Sequence, residues 1–218
     1  MLWVFDINET LLDLAQLGPV FERNTGRAEH RTEWFDLLIR SALITTAAGR
    51  YQDFATLGAA CAKAVAAAHG AEFTDQGTAE LAAALRRLPA HPEVPDALAA
   101  LRERGHRLVA LGNSPPAVIE AQLTGAGLAP RFDGWYSVEQ AGMLKPGPAP
   151  YRFVLQTEQV EPGQAVMVAA HDWDIAGAQA AGMRTVFVAR DGRRPIPGWP
   201  DPDVAAADLA AATAADPA

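Results

Sequence analysis

Leu2-Trp3-Val4-Phe5-Asp6-Ile7-Asn8-Glu9-Thr10-Leu11-Leu12-Asp13 decides how the rest of the chain is read. Four consecutive apolar residues stopped by an aspartate predict a short strand buried on both faces. A strand that starts almost at residue 1 is expected in the middle of a sheet. The period then changes. From Leu14 to about Leu88, apolar residues recur at helical spacing (Trp34, Leu37 and Leu38, then Leu57, Cys61 and Val65 among alanines) with no convincing strand, so this block predicts four or so helices.

His91-Pro92-Glu93-Val94-Pro95 breaks the helical pattern. Beyond it the elements alternate: helix 96–104, strand 107–111, helix 115–125, strand near 134–138, helix 148–158, strand 165–169, helix 174–181 and strand 184–188. Gly105, Gly127 and Gly182 punctuate the helix ends. Such alternation predicts a parallel sheet with helices on both faces. The expected fold class is therefore α/β: a doubly wound, Rossmann-like parallel sheet formed by residues 1–13 and 91–218, with a helical cap, 14–90, inserted after the first strand. The alanine-rich tail from Asp201 is expected to hold a short strand near Val204 and a last helix, or to fray.

With 218 residues, half of them hydrophobic and a fifth charged, the chain is neither disordered, fibrous nor membrane-spanning in composition. Lys and Arg number 18 against 26 Asp and Glu, a net charge of −8, and the basic residues are spread out. That argues against a nucleic-acid or anionic-membrane partner. One cysteine, Cys61, closes no disulfide within the chain and is expected as a small core residue. No charged segment followed by an apolar run opens the sequence, so a reducing cytoplasm is the expected location.

In a sheet of this kind, ligands bind outside the carboxyl ends of the strands. Those ends carry Asp6 through Asp13, then Gly112-Asn113-Ser114, then His171-Asp172-Trp173-Asp174, with Lys145 between a strand and a helix. A carboxylate, an amide, an ammonium and further carboxylates around one crevice suit covalent catalysis by an aspartate held ionised beside a lysine. Each residue also has a plainer reading. Asp6 and Asn8 would cap a following helix, Lys145 would be a loop lysine, Tyr151 and Trp173 would pack, and His171 would be a hydrogen-bonded histidine. Ser114 would cap the helix starting at Pro115.

The motifs Phe5-Asp6-Ile7-Asn8-Glu9-Thr10-Leu11-Leu12-Asp13, Leu111-Gly112-Asn113-Ser114-Pro115, Lys145-Pro146 and the run from His171 to Ala178 stand in an order that resembles the haloacid dehalogenase superfamily. Within it the chain looks like the L-2-haloacid dehalogenase branch, to which Arg50-Tyr51-Gln52-Asp53-Phe54 and Trp173 are also similar. The resemblance implies that Asp6 displaces halide from C2 of a small 2-haloalkanoate, and that water then hydrolyses the aspartyl ester to a 2-hydroxyacid. It implies that Thr10 and Lys145 position Asp6, that Asn113 cradles the halide, and that Phe54 forms an apolar wall. Tyr151 would belong to the site, Asp174 and His171 would stand near the nucleophile and its hydrolytic water, and Ile7 and Ser114 would join the substrate contacts. A halide-binding cap arginine falls near Arg31. The implied partners are the 2-haloacid and a second copy of the chain; no cofactor or metal is implied.

Two positions depart from that branch: Gly112 replaces a serine or threonine, and Ala169 a serine. The superfamily's phosphatase branch uses a second aspartate two residues after the nucleophile, and usually Mg²⁺. Asn8 occupies that position and has no proton of suitable pKa to give, although Asp172 and Asp174 would complete a metal site with Asp6. A further alternative is a catalytically weakened member that binds a small carboxylate. In so acidic a chain, attraction for an acidic substrate must be local, and Lys145 and a cap arginine are the expected places.

Overall fold

All four residues of β1 (Leu2–Phe5) are buried, and the strand runs between β2 (Arg107–Gly112) and β4 (Ala165–Ala169), parallel to both. The computed structural model describes residues 1–215; the last three residues of the expected core lie outside the described residues. β3 (Gly134–Ser137), β5 (Arg184–Val188) and β6 (Val204–Ala206) complete a six-stranded, wholly parallel sheet in the order β3-β2-β1-β4-β5-β6. The order reverses at β1, and with right-handed crossovers this puts helices on both faces. Asp6 and His171 follow the two strands that flank this switch point.

Four α-helices stand between β1 and the rest of the sheet: α1 (Gly18–Thr25), α2 (His30–Ala47), α3 (Phe54–Ala68) and α4 (Asp75–Leu85). Phe21, Trp34 and Phe73 form their aromatic centre. The chain leaves and re-enters the sheet by neighbouring segments: Leu12 bridges Ala90, the Asp13 N–H donates to the Pro89 carbonyl, and the His91 N–H donates to that of Leu11.

The remaining helices are α5 (Val94–Glu103), α6 (Pro116–Gly125), α7 (Pro148–Glu158), α8 (Asp172–Ala180) and α9 (Leu209–Ala215). Two starts differ from the sequence expectation. Pro95 lies in the first turn of α5, where a missing N–H costs nothing, so it opens the helix instead of preceding it. α8 begins at Asp172 because His171, extended at φ −129°, is its N-cap. Cys61 is buried in α3. Among the described residues, no helix is long and apolar enough to cross a membrane.

Candidate active site

The Asp6 N–H continues the β1 ladder onto the Val168 carbonyl at 3.0 Å, which fixes the carboxylate at the end of the sheet. Its Oδ1 accepts from Lys145 Nζ at 3.0 Å, and its Oδ2 accepts from Thr10 Oγ1 at 2.6 Å. Thr10 is itself held, because its hydroxyl oxygen accepts the Ala170 N–H and its carbonyl accepts from Arg190. Lys145 lies between two carboxylates, donating also to Asp174 Oδ2 at 2.7 Å. Tyr151 donates to the other oxygen of Asp174 at 2.5 Å. Burial alone would raise the pKa of Asp6, but Lys145, His171 and Thr10 outweigh it and hold the carboxyl well below the usual carboxylate range. Asp174 shifts the other way, because burial and the charge of Asp6 outweigh Lys145. The Lys145 pKa is raised: burial opposes the charge, but the two carboxylates prevail.

A second group of charges meets Asp6 from the opposite side. Glu9 is buried and sits at φ +62°, a left-handed conformation uncommon outside glycine, which turns its carboxylate inward. There it accepts from His171 Nε2 (3.0 Å), Arg193 (2.7 Å) and Arg31 (3.3 Å). The His171 ring stacks on Trp173, with centroids 5.0 Å apart, and meets Phe35 of α2 at 5.7 Å. Its Nδ1 stands 3.4 Å from Asp6 Oδ2 and is buried without a hydrogen-bond partner. Burial lowers the pKa of His171, but Asp6 and Glu9 together raise it to about 9. Sequence reasoning assigned no role to Glu9 or Arg193. For Glu9, its place three residues after Asp6 within the same motif was the available signal; Arg193 had none.

The other expected residues are spread around this centre. Asn113 Oδ1 accepts the Lys145 backbone N–H at 3.0 Å, so β2 braces the lysine. Phe54, Ser114 and Asn8 line a mostly apolar cavity of about 80 Å³ that shares Phe35 with His171. Ser114 does not cap α6: Pro115 is the N-cap and has no hydroxyl, and the Ser114 carbonyl accepts from Ser137. Asp6 and Asn8 cap no helix either, since Asn8 accepts from Gln122 at 2.9 Å and Asp13 caps the next turn. Ile7 is packed against the Gly112 backbone, where an added Cβ would lie 3.0 Å from the terminal carbons of Ile7 and Ile119. Hydrocarbon therefore fills the place of the expected hydroxyl. Nor are Lys145 and Arg31 free positive charges for an acidic substrate, because carboxylates of the chain already pair both.

The metal site considered for Asp6, Asp172 and Asp174 does not assemble. The Lys145 ammonium lies between Asp6 and Asp174, 3.0 and 2.7 Å from their oxygens, and supplies the charge that balances them. Asp172 turns away to accept the Ile196 N–H at 3.2 Å.

Residues 2–182 match the family model of the haloacid dehalogenase-like hydrolases. The (S)-2-haloacid dehalogenase of Xanthobacter autotrophicus is 29% identical over 189 residues, covering 86% of this chain and 74% of that protein. A phosphoglycolate phosphatase of Rhodospirillum rubrum is 38% identical over 91 residues, 42% of this chain and 38% of the relative. Among solved structures, L-2-haloacid dehalogenase from Xanthobacter autotrophicus superposes with a TM-score of 0.88 at 25% identity, covering 96% of this chain and 95% of that one.

Proposed function

The chain belongs to the haloacid dehalogenase-like hydrolases, and on that premise we propose that it hydrolyses the carbon–halogen bond of a small 2-haloacid through an ester on Asp6. The observation that carries this reading is a buried, ionised Asp6 at the switch point, charge-matched by Lys145 and followed two residues later by an amide, Asn8, where phosphate chemistry would need an acid. Residues 14–90 act as the cap, with Phe54 and Phe35 facing the substrate side, and the chemistry needs no metal.

In the first step an Asp6 carboxylate oxygen attacks C2 in line. The new C–O bond forms as the carbon–halogen bond breaks, and halide leaves with the electron pair. Holding both partners in attack geometry contributes roughly 7 to 11 kcal/mol. Esterification removes the negative charge of Asp6. Lys145 keeps its partner Asp174, whereas His171 loses one of the two anions that hold its proton, gives that proton up to solvent and becomes a base. In the second step water adds to the Asp6 carbonyl carbon and gives its proton to His171 Nδ1. Collapse of the tetrahedral intermediate expels the alkoxide, which recovers that proton as the 2-hydroxyacid leaves. Asp6 re-ionises by passing its carboxyl proton to His171, which restores the starting ion pair, so the one proton released per turnover is the one His171 gave up after the first step. Glu9, clamped by Arg31 and Arg193, keeps the ring aimed at the reacting carbonyl.

The test measures halide release from 2-chloropropionate and phosphate release from an aryl phosphate, each with and without EDTA. Halide release indifferent to EDTA is expected. EDTA-sensitive phosphate release would replace this reading with the phosphatase one, and silence in both assays would favour a weakened, carboxylate-binding member. Asp6→Asn should lower turnover by at least about 10⁴-fold with an unchanged circular dichroism spectrum; undiminished activity in that variant ends the covalent mechanism.

A further inference from the structure

Away from Asp6, α2 and α3 bring two imidazoles and a carboxylate together. His30 opens α2, Glu33 stands three residues on along the same face, and His69 is the C-cap of α3. The two rings stack with centroids 3.8 Å apart and planes 17° apart. His69 Nε2 is 2.7 Å from Glu33 Oε2, and the ligating atoms of all three residues lie within 4.8 Å of one another. None of the three is hydrogen-bonded to a residue around Asp6.

The far side of His30 is ordered for this task. Its Nδ1 is 2.9 Å from Thr25 Oγ1, whose hydroxyl proton is directed to the Phe21 carbonyl at 2.6 Å. The threonine oxygen must therefore accept, His30 donates from Nδ1, and the lone pair of the neutral ring is assigned to Nε2. A hydrogen bond on the non-ligating nitrogen is how metal-binding histidines are oriented. The scaffold is tied as well: Trp34 Nε1 donates to the Gly58 carbonyl at 2.8 Å, joining α2 to α3.

We infer that His30, Glu33 and His69 form a binding site for a divalent transition metal of the Zn²⁺ type, clamping the start of α2 to the end of α3. Two nitrogen donors and one carboxylate select Zn²⁺, Ni²⁺ or Cu²⁺ over Mg²⁺ and Ca²⁺, which prefer all-oxygen sites. Tetrahedral bonds of about 2.0–2.1 Å place donor atoms roughly 3.3 Å apart. The exposed side chains of Glu33 and His69 can reach that spacing, with water completing the shell.

The probe is ZnCl₂ titrated by calorimetry into the full-length chain after EDTA treatment and dialysis. One ion per chain and a raised melting temperature are expected. His69→Ala and Glu33→Gln, both at exposed positions, should weaken binding at least about tenfold, and Thr25→Val, which removes the orienting contact together with the hydroxyl's bond to the Phe21 carbonyl but no ligand, by roughly 10- to 100-fold. Circular dichroism checks that each variant is folded. No zinc uptake by the wild type, or equal uptake by wild type and His69→Ala, overturns the site; the second outcome would put the ion elsewhere, as at His171.

Discussion

Two groups of charges meet at Asp6, and they are built differently. Lys145, Asp174 and Tyr151 come from α8 and from the start of α7 with the turn before it, and they are closed off from solvent. Glu9, His171, Arg31 and Arg193 come from four separate stretches of chain, and the guanidinium groups remain partly open, at 17% and 34% exposure. In the first group the lysine is matched on both sides and no buried side-chain nitrogen or oxygen lacks a partner. In the second, one imidazole nitrogen beside the nucleophile is unsatisfied. A saturated network can fix the charge of Asp6, whereas only the unsaturated one can respond when that charge disappears.

The sharpest break between the two sides is kinetic. His171→Gln cannot take up a proton, so the second step should slow by roughly 10²- to 10⁴-fold while the first continues. Rapid-quench measurement of halide should show a burst of about one per chain, and intact-mass spectrometry should show the trapped ester. Slowed release with no burst would assign His171 to the first step and remove the water-activating role. Lys145→Met should act on stability first, because it leaves Asp6 and Asp174 buried together without a cation, at a cost of about 3–5 kcal/mol near neutral pH. Urea unfolding should show that deficit shrinking as acid protonates the carboxylates; a variant as stable as wild type at pH 7 would contradict the reading of this side as charge-matched.

The two sides also respond differently to alkali. The folded pKa of His171 is raised to about 9, above its unfolded value near 6.5, so its stabilisation is complete below the unfolded value and is lost as pH rises through the folded one. The loss amounts to roughly 3 kcal/mol between pH 6 and 10. The groups facing it are Asp6 at the end of β1 and Glu9 in the loop beyond, with Arg31 from α2 and Arg193 after β5 acting through Glu9. Glu9→Gln should move this descent to lower pH, since it removes one of the two anions. An unmoved descent in a folded variant would detach Glu9 from the histidine.

The first side was legible in the sequence; on the second, His171 and Arg31 were candidates and Glu9 and Arg193 were not. Asp6, Thr10, Lys145 and Asp174 follow strand ends, so strand–helix alternation already carries them to one crevice, whereas Tyr151, inside α7, was placed there by the family resemblance alone. The strand–helix order from 107 to 188 was readable for the same reason, with element ends shifted by a residue or two. Glu9 stands in the same motif, yet its inward turn depends on a left-handed backbone that no composition rule requires of glutamate. Arg190 and Arg193 belong to an irregular segment after β5 and reach residues 10 and 9 across the fold. No periodicity encodes such contacts. The capping role of Ser114 failed on a local detail, the proline that follows it.

Gly112 offers the smallest effect and separates packing from chemistry at a third strand end. His171 brings an ionisable group to its strand end, whereas at Gly112 the departure from the family pattern removes a hydroxyl and hydrocarbon takes the space. Gly112→Ser would restore the family's residue type, but the new Cβ would lie 3.0 Å from both Ile7 Cδ1 and Ile119 Cδ1, tighter than ordinary contact. Both are far ends of side chains that can shift by a few tenths of an ångström, so the expected cost is about 1–3 kcal/mol rather than failure to fold. Shortening one neighbour should relieve it: Ile119→Val removes the terminal carbon at that contact, and urea unfolding of the four-member cycle should give a favourable coupling of about 0.5 kcal/mol or more. If Gly112→Ser costs nothing, or the cycle is additive, the isoleucines do not explain the glycine. If the double variant also raises the rate of halide release, the missing hydroxyl had limited the chemistry, and the strand end has been closed by packing rather than dispensed with by the reaction.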